Sequence, residues 1–358
     1  MTQSDHKLHA GRHSRYASVR KRAFLFLRLT FGVGILVYLA RSGQINLSSL
    51  VNLLHKWPIT MAAIAFLLLD ILMMSVRASL LFRNARLSLS LANSLQLNLI
   101  GFLFSTFLPG AAGGDIAKLV YATRENHGRR AEVATVLILD RLVGLFSLIL
   151  LPLLFAPFFP DLLRTIFVLR RLLYVDAVLA GCMLVGASLV IFFSPARNWM
   201  SYLLHRWPSL KSLALRVLDA MAAHGKARGT LFFALILSLF ANLCLIIVTG
   251  LGLYAVSPGS FSTRLVLVAP MGHLVNSLPL TPGGIGVGES AFNSLFSLTG
   301  MNGGAETLLC VRVWNISVGL LGLFVYFFGL GRIVHPYEED VKSEGDTGAS
   351  FIQAESVH

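Results

Sequence analysis

Asp70, Arg77, Asp140, Arg141 and Arg312 stand inside long stretches that are otherwise apolar. An ionisable group in an apolar span is costly, and it marks either a buried pair or a path for something polar. A guanidinium holds a phosphate through two parallel hydrogen bonds, which makes arginine the first candidate for a phosphate ligand. Asp140 and Arg141 are sequence neighbours, so on a helix they face different sides and each needs a partner from another segment. Two readings stay open. In one, Asp70 pairs with Arg141, or Asp140 with Arg77 or Arg312, and the pairs only fix a bundle. In the other, the charges serve a function, and for Arg141, which could hold a phosphate, we favour this second reading.

Two glycine-rich breaks carry a second kind of chemistry. Leu108-Pro109-Gly110-Ala111-Ala112-Gly113-Gly114-Asp115 interrupts one apolar stretch, and Pro282-Gly283-Gly284-Ile285-Gly286-Val287-Gly288-Glu289 another. Proline and clustered glycine end helices. A half-helix that starts after such a break directs free N–H groups and a positive dipole end inward, which suits an anion. Asp115 and Glu289 would sit near those helix starts. There an acid is an ordinary cap, or it gates or couples movement, a role also open to Asp70. His273 reads as a packing residue, and Ser290 has no histidine or lysine at a nucleophile's spacing. Metal-ligand spacings, phosphate loops and dinucleotide fingerprints are missing from the sequence, so we expect neither catalysis, nor a metal, nor a cofactor.

These residues need elements to hold them, and composition says what kind. Of 358 residues, 55% are hydrophobic and 13% charged. Soluble domains carry about 25% charged residues, so a soluble globular fold is excluded. The apolar stretches are long and unbroken rather than alternating, which argues against a β-barrel. Spans are expected at 23–40, 58–82, 131–157, 172–193, 229–256 and 306–331. The net charge of +13 sits beside spans, at Lys7–Arg22 and in the loop 194–228. It therefore orients the chain and touches anionic headgroups rather than nucleic acid. By the positive-inside rule both termini are cytoplasmic, although the loop 158–171 then exposes Arg164, Arg170 and Arg171 outside. Cys182, Cys244 and Cys310 lie in apolar runs and read as buried hydrophobes.

A repeat organises the spans. Asp115 and Glu289 stand 174 residues apart (289 − 115), and Glu132 and Glu306 share that spacing. Each unit, 58–157 and 229–331, reads as span, broken hairpin, span. The charge distribution brings the first hairpin in from the cytoplasm and the second from outside. The expected fold is all-α: about six full spans plus two re-entrant hairpins in an inverted-topology repeat. The plainer alternative makes each break an ordinary turn between short spans. A basic segment at 1–22 precedes the membrane domain 23–332, and an acidic tail at 333–358 follows it.

The segment at 109–115, the Asp140-Arg141-x-x-Gly144 run and the Pro282–Glu289 segment together resemble the lysylphosphatidylglycerol synthase transmembrane-region family. The resemblance covers about 20–332 and implies a flippase-like membrane domain of a bacterial inner membrane. No segment the size of the family's soluble aminoacyl-transferase domain follows residue 332, so the expectation is a stand-alone member that moves lipid rather than one that transfers lysine. By motif the resemblance carries over to Pro109, Gly113, Gly114, Asp115, Asp140, Arg141, Gly144, Pro282, Gly283, Gly284, Gly286 and Glu289. The cargo it implies is a phospholipid, a polyprenyl-linked lipid or a hopanoid-type lipid. The alternative is an accessory subunit, partnered with a separately encoded transferase, or an intramembrane enzyme of lipid modification.

Overall fold

A computed structural model describes residues 56–107, 112–192, 228–278, 284 and 286–334. The expected segments 1–22 and 23–40 lie outside the described residues, as do all but the edges of the loop 194–228 and the tail 333–358. What is described is helical, with no strand among the described residues. The chain is an all-α membrane protein.

Apolar runs of 26 to 31 residues form the long helices α1 (Trp57–Asn84), α4 (Arg130–Phe155), α6 (Phe167–Phe192), α7 (Arg228–Val256) and α10 (Gly304–Val334). Four of these, α1, α4, α7 and α10, contain segments long and apolar enough to cross a bilayer. The fifth, α6, covers residues 172–192 of the stretch expected at 172–193. Between them lie shorter helices: α2 (Leu91–Phe107), α3 (Ala112–Glu125), α5 (Pro160–Thr165), α8 (Leu265–Ser277) and α9 (Val287–Leu298). Large apolar side chains such as Leu68, Leu72, Val178, Leu184, Phe232, Phe240 and Phe324 point outward. Such a surface is stable against lipid tails and a liability in water. Cys244 and Cys310 are buried as expected, but Cys182 is exposed on α6, because an apolar run in a membrane protein can face lipid as well as protein.

α1 and α7 form the centre and run antiparallel. Lys56, before α1, donates to the Ala255 carbonyl near the end of α7 at 2.6 Å, while Arg77 late in α1 donates to Ser238 early in α7 at 2.7 Å. Around their middle, Ala63, Leu67 and Ile71 of α1 pack with Val248 of α7 and Val311, Trp314 and Val318 of α10. At one end of the bundle Leu81 and Phe82 of α1 meet Val133 and Val136 of α4 and Ala234 of α7. At the other, Leu151 of α4 meets Leu253 of α7 and Leu265, Leu267, Val268 and Met271 of α8.

The short helices pair as hairpins that open at opposite ends. Where α1 finishes, Asn93 at the start of α2 donates to Glu125 at the end of α3 at 2.5 Å, and Asn126 bonds the Ser88 backbone. Where α7 finishes, Arg264 before α8 donates to the Thr299 carbonyl after α9 at 2.7 Å. The packing of one half has its counterpart in the other. α1 packs on α2 as α7 does on α8, and α3 on α4 as α9 does on α10. α2 also packs on α10 as α8 does on α4. A hydroxyl joins span to hairpin in both. Ser75 donates to the Ile71 carbonyl and accepts from Asn98 at 3.0 Å. Thr249 donates to the Leu245 carbonyl and meets His273 Nε2 at 2.8 Å. Ser75 and Thr249 have the same 174-residue separation as Asp115 and Glu289.

Candidate functional site

Halfway along the bundle, α1, α3, α4 and α7 leave a cavity of about 220 Å³. Its polar lining comprises Asp70 and Arg77 from α1, Lys118 from α3, Asp140 and Arg141 from α4, and Ser238 and Asn242 from α7. Four charged positions singled out by sequence therefore converge on one space. Arg312 does not share it.

Arg77 is held from two sides. Its Nε meets Asp140 Oδ1 at 2.7 Å and its Nη1 donates to Ser238 Oγ at 2.7 Å, with Arg77 3% and Asp140 6% exposed. Buried charges persist only when paired and hydrogen-bonded, and here both conditions are met. The Asp140-Arg141-x-x-Gly144 run gains a local meaning. Asp140 and Gly144 share a helix face; the first neutralises Arg77, and the second leaves room for it. A Cβ at 144 would stand 3.2 Å from Arg77 Nη1. The Gly144 carbonyl and Ser147 also take Asn242 Nδ2, at 3.4 and 2.7 Å, which fastens α4 to α7 beneath the cavity. The structural alternative of Asp140 with Arg77 is thus the pair observed, while Arg141 lines the cavity beside it.

A second cluster lies at the break between α8 and α9. Arg312 Nε stands 2.7 Å from Glu289 Oε1, and its Nη2 donates to Asn276 Oδ1 at 3.1 Å. Glu289 Oε2 accepts the Gly286 N–H at 2.7 Å, so the acid caps α9 while it pairs with α10. Gly284 and Gly286 have φ of +69° and +83°, a conformation open to glycine at little cost. Gly288 is needed for closeness instead, since a Cβ there would collide with Asn276 Oδ1. Arg312, Glu289 and Asn276 therefore latch the broken hairpin onto α10. His273 is buried against Phe292 with its Nε2 on Thr249, a packing environment.

The first break is less fully described. α3 starts at Ala112, so Gly113 and Gly114 lie in its first turn rather than before it, where free N–H groups make glycine's weak helix propensity cheap. Asp115 is the fourth residue of α3; its side chain lies outside the described residues, as do Pro109, Pro282 and Gly283.

Sequence reading did not single out Lys118. It stands one turn beyond Asp115 in the otherwise apolar Ile116–Ala122 run, and that spacing was the available signal. Ser238 and Asn242 were also overlooked, although an i,i+4 polar pair inside α7 marks a helix face that cannot point at lipid. Among the described residues no group of histidine, cysteine and acid side chains has the arrangement of a metal site. The lining, three cations against two carboxylates, is suited to holding an anion.

The model of the lysylphosphatidylglycerol synthase transmembrane region matches residues 25–314, and the chain belongs to that family. No curated protein and no solved structure matches it. Membership and the apolar helices together make this a multi-pass membrane protein with a lipid-related role.

Proposed function

We propose, from this membership, that the chain moves an anionic lipid headgroup between leaflets through the cavity bounded by α1, α3, α4 and α7. The observation that carries the reading is the mid-bundle cavity lined by Arg77, Lys118 and Arg141. A headgroup phosphate cannot cross hydrocarbon unaided at a useful rate, because losing its hydration costs many kcal/mol. A groove that supplies guanidinium and ammonium groups replaces that hydration and lowers the barrier without a covalent step. Arg141 and Lys118 contact the phosphate. Arg77, anchored by Asp140 and Ser238, sets the field around it and fixes α1 against α4 and α7.

Movement follows from the repeat. The antiparallel course of α1 and α7, hairpins that open at opposite ends, and the matched packing of the two halves support an inverted-topology repeat with re-entrant hairpins. At 1.5 Å per residue, α8 and α9 are each about 20 Å long, short of a hydrocarbon core of about 30 Å. Rocking of the halves exposes the cavity alternately to each leaflet. The latch of Arg312, Glu289 and Asn276 keeps the second hairpin rigid or lets it shift. Phospholipid, polyprenyl-linked and hopanoid-type lipids are all candidate cargo. The end bearing Arg83, Arg86, Arg124, Arg129 and Arg130 faces the cytoplasm of a bacterial inner membrane.

Purified protein in liposomes with fluorescent phospholipids, bleached from outside, tests this. Wild type speeds leaflet exchange. Arg141→Ala slows it at least tenfold, since one charge-assisted contact contributes roughly 1.5–3 kcal/mol. Folded wild type that exchanges no anionic lipid of the candidate classes refutes the reading.

A further inference from the structure

The cavity contains two carboxylates, and the fold treats them differently. Asp140 has Arg77 at 2.7 Å. Asp70 lines the same space and is 8% exposed, yet it makes no hydrogen bond or ion pair among the described residues. Nine-tenths buried carboxylates are seldom left so, because desolvation favours whatever neutralises them. A metal cation is a poor occupant, since Arg77, Lys118 and Arg141 line the same cavity and repel it. A proton neutralises the group without a coordination shell.

The size of the cavity ties that proton to cargo. In about 220 Å³ no anion can stay far from Asp70, and at low effective dielectric the two negative charges repel strongly. We infer that Asp70 takes up a proton when a headgroup phosphate enters the cavity, so that lipid movement is coupled to proton movement. The inference rests on the translocator reading. The proton comes from water on the side to which the cavity is open, adds to a carboxylate oxygen, and returns to water when the phosphate leaves. Linkage makes the effect mutual: protonation strengthens anion binding by the factor by which the anion strengthens protonation.

The charged and titratable groups around Asp70 are Arg77 on its own helix, Lys118 on α3, Asp140 and Arg141 on α4, and Cys244 on α7. Of the other helices against α1, the described side chains of α2 include no titratable group. α10 carries Glu306, Cys310, packed with Leu67 and Ile71, and Arg312, bound by Glu289.

The test has two arms. Infrared difference spectra of wild type follow a protonated-carboxyl band as pH falls, with and without phosphatidylglycerol. The band should strengthen on adding the lipid and vanish in Asp70→Asn, while Asp176→Asn, at a buried carboxylate on α6 outside the cavity, keeps it. In liposomes, phosphatidylglycerol exchange by wild type should respond to pH by up to about tenfold per unit, the limit for one linked proton. Whatever exchange Asp70→Asn supports should show no pH response. A lipid-dependent band that survives Asp70→Asn, or a pH response that survives it, overturns the proposal. Absence of exchange by wild type beside a lipid-dependent Asp70 band would refute translocation while leaving the proton site standing.

Discussion

Among single residues, the Arg77–Asp140 pair decides most. Both partners are almost wholly buried, so removing one strands the other charge away from water. Arg77→Met should destabilise the protein by about 3–5 kcal/mol, as for other broken buried pairs. The double variant with Asp140→Leu should regain much of that loss, while lipid exchange stays impaired. Thermal unfolding in detergent, read as a double-mutant cycle, checks the first part, and liposome exchange checks the second. Stability that stays low in the double variant would place the pair's value in the Arg77 hydrogen bond to Ser238 of α7 rather than in mutual neutralisation. Candidate charges were legible from sequence because ionisable residues stand out against apolar runs. Which charge pairs with which was not, because Arg77 and Asp140 are brought together by packing across 63 residues of chain.

One level up, among the helices, the break between α8 and α9 is held by side chains from three of them. Gly288→Ala forces a methyl into Asn276 and Leu308, and should cost about 1–3 kcal/mol by overpacking. Glu289→Gln should cost less, about 1 kcal/mol, since an amide keeps a capping oxygen but loses the charge facing Arg312. Thermal unfolding of the two variants beside wild type checks that order. Exchanging the charges, Glu289→Arg with Arg312→Glu, should restore the pair without the cap. Lipid exchange that recovers in this double variant would assign the latch to pairing; exchange that stays low would assign it to the cap. The glycines announced the break in the sequence. Their separate duties did not show there: positive φ at 284 and 286 belongs to the course of the turn, and the close approach at 288 depends on where Asn276 lies.

For the molecule entire, the two hairpins should be reached from opposite sides of the membrane. With Cys182 replaced, since it alone of the cysteines is exposed, single cysteines at Ser90 and Thr263 give the comparison. Both positions are exposed and precede α2 and α8. A membrane-impermeant thiol reagent should label one from outside and the other only after the membrane is opened. Labelling of both from the same side would end the inverted-repeat reading, and with it the case for rocking halves.

Helical character, a membrane setting and the places of the long helices and their breaks were all present in the residue order. Each of these follows from local physics: unbroken apolar runs have no stable place in water, and proline with glycine interrupts a helix wherever it stands. It took the packed bundle to bring Asp70, Arg77, Asp140 and Arg141 into one cavity with Lys118, and to assign Arg312 to a latch instead. Periodicity along a helix says which residues share a face, but not which helix that face meets. That choice is made by packing α1 against α7 and α4, over separations that no window of sequence contains.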